Sequence, residues 1–173
     1  MKILVAFIFI FFVFNIYIFM VKPKVLVYQN QSQGNIVAAQ EFIYNEKAPN
    51  IIVGSSMAAR MKKEFLPSDY LNLSFGGGSA LTGLEILKKS GFIPKTIFVE
   101  NNVIFRNKDK KMIDSLFYPI LWKIKNYLPS LQEKYQPLNI IVSYIKGAVG
   151  KSHDEYMNET VDQKIFRMSL ERQ

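Results

Sequence analysis

The feature that most constrains this chain is an uncharged apolar segment near its start. Residues 3–21, ILVAFIFIFFVFNIYIFMV, contain no charged side chain and one amide, Asn15. As a helix that rises about 1.5 Å per residue, this segment extends roughly 28 Å, which is close to the thickness of a bilayer core. A helix buried in a soluble core normally keeps a polar face over such a length. We therefore predict a membrane-spanning helix.

An uncleaved anchor is favoured over a cleaved signal peptide. Lys2 supplies the positively charged start that either segment would need. The apolar run ends in bulky and basic residues, IFMVKPKVLVY, where a cleavage site requires small ones. Lys22 and Lys24 on the far side roughly balance Lys2 and the amino terminus, so these charges leave the orientation open. We predict an anchor over residues 1–22.

Charge and composition exclude several classes of chemistry. The chain has 173 residues and a net charge of +8, which on an anchored protein indicates attraction to anionic lipid headgroups. The basic clusters lack interleaved aromatic residues, and we predict no nucleic-acid partner. The absence of cysteine excludes disulfides and thiol catalysis. With one histidine and no clustered carboxylates, we also predict no metal.

The remaining sequence predicts an α/β domain over residues 49–173, behind a membrane-proximal stem and helix over 23–48. The predicted strands are 50–54, 70–74, 94–100 and 137–145, and the predicted helices are 35–47, 57–66 and 79–91, followed by a long amphipathic segment at 109–135. Thr82 and Glu85 have capping-box spacing, and Gly91 is placed to end its helix. The alternation favours a parallel sheet covered on both faces, a three-layer αβα (flavodoxin-like) fold.

Residues that could take part in catalysis follow three of the predicted strands. Gly54-Ser55-Ser56 follows the first strand, NLSFGGGS (72–79) the second and VENN (99–102) the third. A hydrolase needs a nucleophile and donors for the oxyanion of a tetrahedral intermediate, which serine, a glycine N–H and an asparagine amide can supply. Parallel sheets bind ligands outside the carboxyl ends of their strands. Plain turns, in which glycine relieves strain and serine caps a helix, remain an open alternative.

These three blocks resemble the SGNH (GDSL-type) hydrolase superfamily over residues 48–105. In the first block, which the family often relaxes from Gly-Asp-Ser to Gly-Ser-Ser, Ser56 corresponds to the nucleophile. In the second, Asn72 is followed five residues later by Gly77, whose N–H corresponds to an oxyanion donor. In the third, Asn101 corresponds to the oxyanion asparagine, although the leading Gly and trailing Asp of the family's Gly-x-Asn-Asp are missing. The resemblance implies an oxyanion hole of Ser56, Gly77 and Asn101.

The family's fourth block, Asp-x-x-His, has no clear counterpart. That block supplies the general base and the carboxylate that orients it. The one histidine, His153, has Gly150 three residues before it. His153 is either the catalytic base or an ordinary loop histidine, and both interpretations remain open. Because four strands are predicted where the family has five, we expect an incomplete sheet and a domain that is truncated or divergent at its end.

The glycine-rich segment GGGSALTG matches neither of two nucleotide-binding motifs completely. A P-loop requires a lysine that this segment lacks. A dinucleotide fingerprint starting at Gly76 would need glycine at the position of Leu81, although Glu100 lies at the distance expected of a ribose-binding acid. We therefore predict no cofactor.

The sequence leaves two functional classes. One is a serine esterase or O-acetyl transfer protein acting on cell-envelope glycans, anchored by a single pass in the inner membrane with its globular domain on the periplasmic side. The other is an inactive SGNH-like fragment or an accessory subunit of an acyltransferase system. The expected partners are the lipid bilayer and either an acylated glycan or a membrane acyltransferase. If His153 is not beside Ser56, we expect at most feeble ester hydrolysis, because a serine hydroxyl needs a base.

Overall fold

The computed structural model describes residues 2–23, 25, 28, 30–102 and 105–148. Within these residues it has six helices and three strands, which confirms the predicted α/β class. The helices are α1 (Lys2–Val21), α2 (Gln31–Tyr44), α3 (Ala80–Ser90), α4 (Lys110–Leu116), α5 (Leu121–Tyr127) and α6 (Pro137–Ala148). The strands are β1 (Asn50–Val53), β2 (Tyr70–Asn72) and β3 (Thr96–Val99). Short 3₁₀ turns lie at Ala58–Arg60, Lys63–Phe65, Pro129–Leu131 and Glu133–Tyr135.

The chain divides into two compact units. One comprises Met1–Gln29 with Lys134–Gln173, and the other, called here the α/β unit, comprises Asn30–Glu133. The first unit contains α1 and α6, and the α/β unit contains the sheet with α2, α3, α4 and α5. All three strand ends considered above as a site therefore belong to one unit.

Helix α1 confirms the predicted apolar helix. It has 20 residues and is, among the described residues, the one helix long and apolar enough to cross a membrane. Most of its large apolar side chains are exposed, as lipid-facing side chains are. Asn15 donates its side-chain N–H to the Phe11 carbonyl oxygen at 2.8 Å. This local bond gives the amide a partner one helical turn away within the apolar segment.

The predicted fourth strand at residues 137–145 is wrong, because this segment forms α6. Pro137 is the first residue of the helix, where its fixed φ suits the first turn and its missing N–H costs no hydrogen bond. The buried side chains Asn139, Ile140 and Ser143 recur at the spacing of one helical face. A short apolar run such as PLNIIVSYI fits both a buried strand and a helix, so its periodicity alone did not decide between them.

The other three predicted strands are confirmed as one parallel sheet in the order β2–β1–β3. The register aligns Ile51 with Leu71 on one side and with Ile97 on the other. Ile51 and Val53 are fully buried and, by strand alternation, point to the same face. Because all three strands run in one direction, their carboxyl ends lie at the same edge of the sheet.

The main core joins three helices to this sheet. Its buried side chains come from α2, β1, the residues after β2, α3 and α4, and include Ala39, Phe42, Ile51, Val53, Leu73, Phe75, Ile86, Leu87, Met112, Ile113 and Leu116. Helix α3 lies very close to the sheet at Gly83. A Cβ atom on Gly83 would lie 2.7 Å from the Leu73 carbonyl oxygen and 2.8 Å from Val53 Cγ1. Glycine at this position therefore allows the helix to pack directly onto the strands.

The predicted helix at residues 57–66 is wrong, because the segment forms two short 3₁₀ turns. The Asn72 side chain donates to the carbonyl oxygens of Ala58 at 2.7 Å and Met61 at 3.0 Å. The Ala58 carbonyl oxygen also accepts from the Met61 N–H, at the i+3 spacing of a 3₁₀ turn. A tertiary contact with β2 thus fixes a tighter turn than the local sequence predicts.

The sequence predicts the C-terminal end of α3 correctly but not its N-terminal cap. Gly91 ends the helix with φ +71°, which confirms the predicted glycine stop. The predicted capping box is wrong, since α3 begins two residues before Thr82. The Thr82 hydroxyl accepts from the Asp109 N–H at 3.0 Å, and Glu85 pairs with Lys108 at 3.1 Å. Both side chains therefore connect α3 to the segment that precedes α4.

Candidate functional site

The three residues predicted for the oxyanion site follow the three strands. Ser56 follows β1, Gly77 lies in the turn after β2 and Asn101 follows β3. Ser56 is half-buried, whereas Gly77 and Asn101 are exposed. Because the strands are parallel neighbours, the structure brings the three loops to one edge of the sheet.

Glu100 connects the loop after β1 to the end of β3. Its carboxylate accepts a hydrogen bond from the Ser55 backbone N–H at 2.6 Å and from the Ser55 hydroxyl at 2.9 and 3.0 Å to its two oxygens. It also accepts from the Ala58 N–H at 3.4 Å. Ser55, which is 3% exposed, is thereby held through both its main chain and its side chain. These bonds fix the backbone on both sides of Ser56.

Gly54 leaves the space that this carboxylate occupies. A Cβ atom on Gly54 would lie 2.4 Å from Glu100 Oε2 and 2.7 Å from the Ala58 Cβ. Real Cβ atoms do not approach other atoms so closely, so a larger residue would displace the loop or the carboxylate. The glycine before the two serines is therefore explained by close packing against Glu100.

The carboxyl group of Glu100 is held in its ionised form. The Ser55 backbone N–H is the main cause that lowers the pKa of Glu100, with smaller contributions from the Ser55 hydroxyl, the Ala58 N–H and the Asn102 side chain, and burial opposes them. An ionised carboxylate accepts hydrogen bonds and donates none. Glu100 is therefore suited to position the loop that carries Ser56.

A second contact between the same two loops lies on the other side of Asn101. The Asn102 side chain donates to the Met57 sulfur atom at 3.2 Å. Asn101 thus lies between two residues, Glu100 and Asn102, that each bond to the loop after β1. The backbone at Asn101 is consequently held beside the loop that carries Ser56.

The turn after β2 is fixed by its glycines and by α2. The Gly78 N–H donates to the Phe75 carbonyl oxygen at 2.9 Å, and Gly77 has φ +70°, a conformation that favours glycine. The Asn35 side chain accepts from the Gly76 N–H at 3.1 Å and donates to the Gly76 carbonyl oxygen at 2.8 Å. These contacts set the direction of the peptide groups around Gly77.

Arg106 brings a positive charge to this edge. Its Nη1 atom donates to the carbonyl oxygens of Gly77 and Gly78, each at 3.4 Å. The side chain is exposed and follows β3 in the chain. It therefore links the third loop to the second and favours negative charge near the glycine turn.

A shallow apolar groove of about 430 Å³ lies beside the loops after β1 and β3. It is lined by Ile52, Met57, Ala58, Met61, Phe98, Val99, Glu100 and Asn102. Six of these eight side chains are apolar, and the two polar ones come from the loop that contains Asn101. A groove of this composition accommodates an apolar group, such as an acyl chain, next to polar groups that orient it.

The sequence predicts the edge of the sheet that carries the site but not all of the residues that build it. His153, the predicted base, lies outside the described residues. Glu100 was considered only as a ribose-binding acid, whereas the structure bonds it to Ser55. Asn72 was noted only for its spacing to Gly77, and the structure shows that it shapes the turn after Ser56. The available signal for Glu100 was that it is polar and stands at the end of an apolar run, whereas Asn72 lies between two leucines and gave no such signal.

The described residues at this edge form a site of polar loops. In the part of the chain that the structure describes, no group of three or more His, Asp or Glu side chains could hold a metal ion. The fold and this site define a class of protein, an α/β unit with polar loops at the carboxyl edge of a parallel sheet. Comparison with protein-family models, with curated proteins and with solved structures gives no match. The SGNH resemblance thus stays a prediction from the three sequence blocks.

Proposed function

We propose that this chain is a membrane-anchored, SGNH-like serine esterase or O-acetyl transfer protein that acts on cell-envelope glycans. The observation that carries the proposal is that the loops bearing Ser56, Gly77 and Asn101 lie at one edge of a parallel sheet. The hydrogen bonds of Glu100 and Asn102 to the loop after β1 support it, because they hold two of these loops together.

In the proposed reaction, the Ser56 hydroxyl oxygen attacks the ester carbonyl carbon and its proton passes to a base, for which His153 is the candidate. The oxyanion of the tetrahedral intermediate accepts hydrogen bonds from the N–H groups of Ser56 and Gly77 and from the Asn101 amide. When the intermediate collapses, the ester C–O bond breaks, the alcohol leaves with the proton and the acyl group stays on Ser56. Water or another hydroxyl then accepts the acyl group.

The proposed fold extends the observed sheet to the three-layer αβα arrangement of flavodoxin-like proteins. The doubly wound order of that class is 2-1-3-4-5, and the observed order β2–β1–β3 matches its first three positions. All four residues of β3 are exposed, and β3 is the edge strand of the described sheet next to which a further strand would pair in that arrangement. The three described strands are then the part of the sheet that carries the oxyanion groups.

We propose that α1 anchors the chain in the inner membrane by a single pass, with the α/β unit on the periplasmic side. The helix has 20 residues, which at about 1.5 Å per residue matches the hydrocarbon thickness of a bilayer. Its apolar side chains are exposed over most of its length. The Asn15 amide is bonded to the Phe11 carbonyl oxygen, which lowers the cost of this polar group in lipid.

A second candidate function is that of a non-catalytic subunit that supports a membrane acyltransferase. The bonds of Glu100 favour it, because they reach Ser55 and Ala58 on either side of Ser56. Within the described residues, no hydrogen bond joins the Ser56 hydroxyl to a carboxylate. In this function the groove would bind an acyl group without cleaving it.

Turnover of an acetyl ester by the full chain in detergent distinguishes the two functions. The variants are Ser56→Ala and His153→Ala, and Ser68→Ala on an exposed turn serves as the matched control. We expect turnover that Ser56→Ala abolishes and Ser68→Ala leaves unchanged. Loss with His153→Ala as well would identify His153 as the base. Turnover that survives His153→Ala would be weak, because an oxyanion site without its base retains only about 10³–10⁴-fold acceleration over water.

Turnover that Ser56→Ala leaves unchanged would exclude the proposed enzyme. No turnover by the wild type would favour the non-catalytic subunit, which needs the groove but not the Ser56 hydroxyl. Ser68→Ala is the control because the loss of an exposed serine hydroxyl away from the site should not alter the reaction.

A further inference from the structure

Helix α5 and the residues before it expose an unusual concentration of aromatic and aliphatic side chains. Within the α/β unit, Tyr118 is 61%, Ile120 72% and Tyr127 81% exposed. No residue of α5 is buried. An exposed apolar patch of this kind on a soluble surface indicates a binding surface.

Three exposed apolar side chains lie on and next to α5. Ile124 and Tyr127 are one turn apart on the helix, and Ile120 is the capping residue before it, with a positive φ of 69°; we call these three side chains the α5 face. Lys123 is exposed beside it. On the other side of the helix, Trp122 is half-buried against Phe117, with ring centroids 5.7 Å apart. The result is a short amphipathic helix with one apolar face and an adjacent lysine.

The composition of this surface fits the headgroup region of a bilayer. Tyrosine and tryptophan concentrate at membrane interfaces, and lysine attracts anionic lipids. Residues 117–131, FYPILWKIKNYLPSL, contain no acidic residue, and of their two lysines Lys123 is exposed whereas Lys125 is half-buried and interacts with Glu133. A protein partner recognised by charge would have to be acidic. An anionic membrane supplies the negative charge and also the apolar layer in which the exposed side chains can be buried.

The connection to α1 keeps the α/β unit near the membrane if α1 is inserted. Helix α1 ends at Val21 and the α/β unit begins at Asn30, so eight residues join them. A fully extended segment of that length reaches at most about 29 Å. A bilayer surface is therefore available to the α5 face at high effective concentration.

We propose that the α5 face is a second membrane contact, in which Ile120, Ile124 and Tyr127 enter the interface of a bilayer containing anionic lipid. The inference rests on the proposed anchoring by α1, since the anchor supplies the nearby bilayer. The contact would hold the α/β unit on the membrane surface rather than leaving it free at the end of its connection.

Trp122 is the single tryptophan of the chain and lies across α5 from the α5 face, within roughly 10 Å, the width of one helix, so it reports when α5 enters the interface. The full chain is reconstituted into phosphatidylcholine vesicles that contain phosphatidylglycerol, with and without lipids brominated on the acyl chain near the headgroup. Bromine quenches tryptophan only at short range. We expect quenching of Trp122 by the shallow bromines, stronger than by bromines at the chain ends and weaker in vesicles without phosphatidylglycerol.

A pair of variants separates the α5 face from other exposed apolar residues. The double variant Ile124→Ser with Tyr127→Ser removes two side chains of the face, and Ile93→Ser removes a side chain that is 90% exposed elsewhere on the α/β unit. We expect the double variant to lose most of the quenching and the control to keep it. Tyr127 and Ile93 are largely exposed and Ile124 is 37% exposed, and none of the three packs against the described buried core of the α/β unit, so the substitutions leave that core intact.

The outcomes distinguish failure of the contact from failure of the anchor. A chain that floats with the vesicles but shows no quenching of Trp122 overturns the contact alone. Quenching that is equal in the double variant also overturns it. A chain that does not float with the vesicles overturns both the anchoring and the contact.

Discussion

Glu100 and Ser55 show how single side chains fix the loop that carries the candidate nucleophile. The apolar runs made the strand ends visible in the sequence, so Ser56, Gly77 and Asn101 could be assigned to one edge before the structure was known. The bond between Glu100 and Ser55 could not, because it depends on the direction of two side chains on different strands. Local sequence patterns contain no information about such a pairing.

Replacement of Glu100 by Gln should make the stability of the α/β unit less dependent on pH. The hydrogen bonds of Ser55 lower the pKa of Glu100 in the folded protein below its ordinary value of 4.5. Their stabilising effect is therefore fully present above that value, and it is lost as the pH falls through the lower pKa of the folded state. We expect wild type to be more stable than Glu100→Gln near neutral pH.

The measurement is the free energy of unfolding as a function of pH for both proteins. We expect the difference between them to shrink as the pH falls below the ordinary value and through the lower pKa of the folded state, where the wild-type carboxyl group also becomes neutral. Glu64→Gln, on an exposed turn, serves as the control. A difference that stays constant down to the lowest accessible pH would show that the charge of Glu100 contributes nothing.

Among the elements, those with a clear period and clear boundaries were predictable. The three strands and helices α2 and α3 were found because apolar runs or helical stripes end at glycine, proline or polar residues. Helix α6 was mistaken for a strand because its short apolar run fits both structures. The helix expected at residues 57–66 was replaced by turns because Asn72, distant in the sequence, binds two of its carbonyl oxygens.

The contact between α3 and the sheet predicts a cost for Gly83→Ala. Alanine normally stabilises a helix interior by about 1 kcal/mol relative to glycine. Here its Cβ would lie 2.7 Å from the Leu73 carbonyl oxygen, a backbone atom that cannot easily move. We expect a net loss of about 1–3 kcal/mol in the free energy of unfolding, typical of overpacking.

Denaturant unfolding followed by circular dichroism measures this effect. Lys89→Ala, on the exposed side of α3, is the control and should change stability by less than about 0.5 kcal/mol. A Gly83→Ala protein at least as stable as wild type would contradict the close packing of α3 on β1.

At the scale of the whole molecule, the chain contains an apolar helix and a small α/β unit that carries polar loops at one edge of its sheet. The apolar helix was predictable because a segment of nineteen uncharged residues is long enough to span a bilayer as a helix. The division into two units was not, because it brings residues from both ends of the chain into one of them. Contacts between distant segments depend on tertiary packing. The local periodicity of apolar residues does not predict them.

Anchoring by α1 predicts how the expressed protein fractionates. In bacteria the full chain should sediment with membranes and remain there after a wash with alkaline carbonate, which removes peripheral proteins. Lys substitutions at Phe9 and Val13, in the middle of α1, should release a large share of it, since each charge at a helix centre costs about 2.5–3.5 kcal/mol on insertion. Recovery of a soluble wild-type form that begins near residue 22 or later would instead indicate a cleaved signal peptide.

The central claim is that Ser56, Gly77 and Asn101 form one acyl-transfer site, and covalent labelling tests it most directly. The full chain is treated with a fluorophosphonate, which modifies activated serines, and the modified residue is located by mass spectrometry of its peptides. We predict a single adduct on Ser56, and a labelling rate about 10²–10³-fold lower in Asn101→Ala because one oxyanion donor is lost. Labelling of another serine, no labelling at all, or a rate unchanged by Asn101→Ala would contradict the claim.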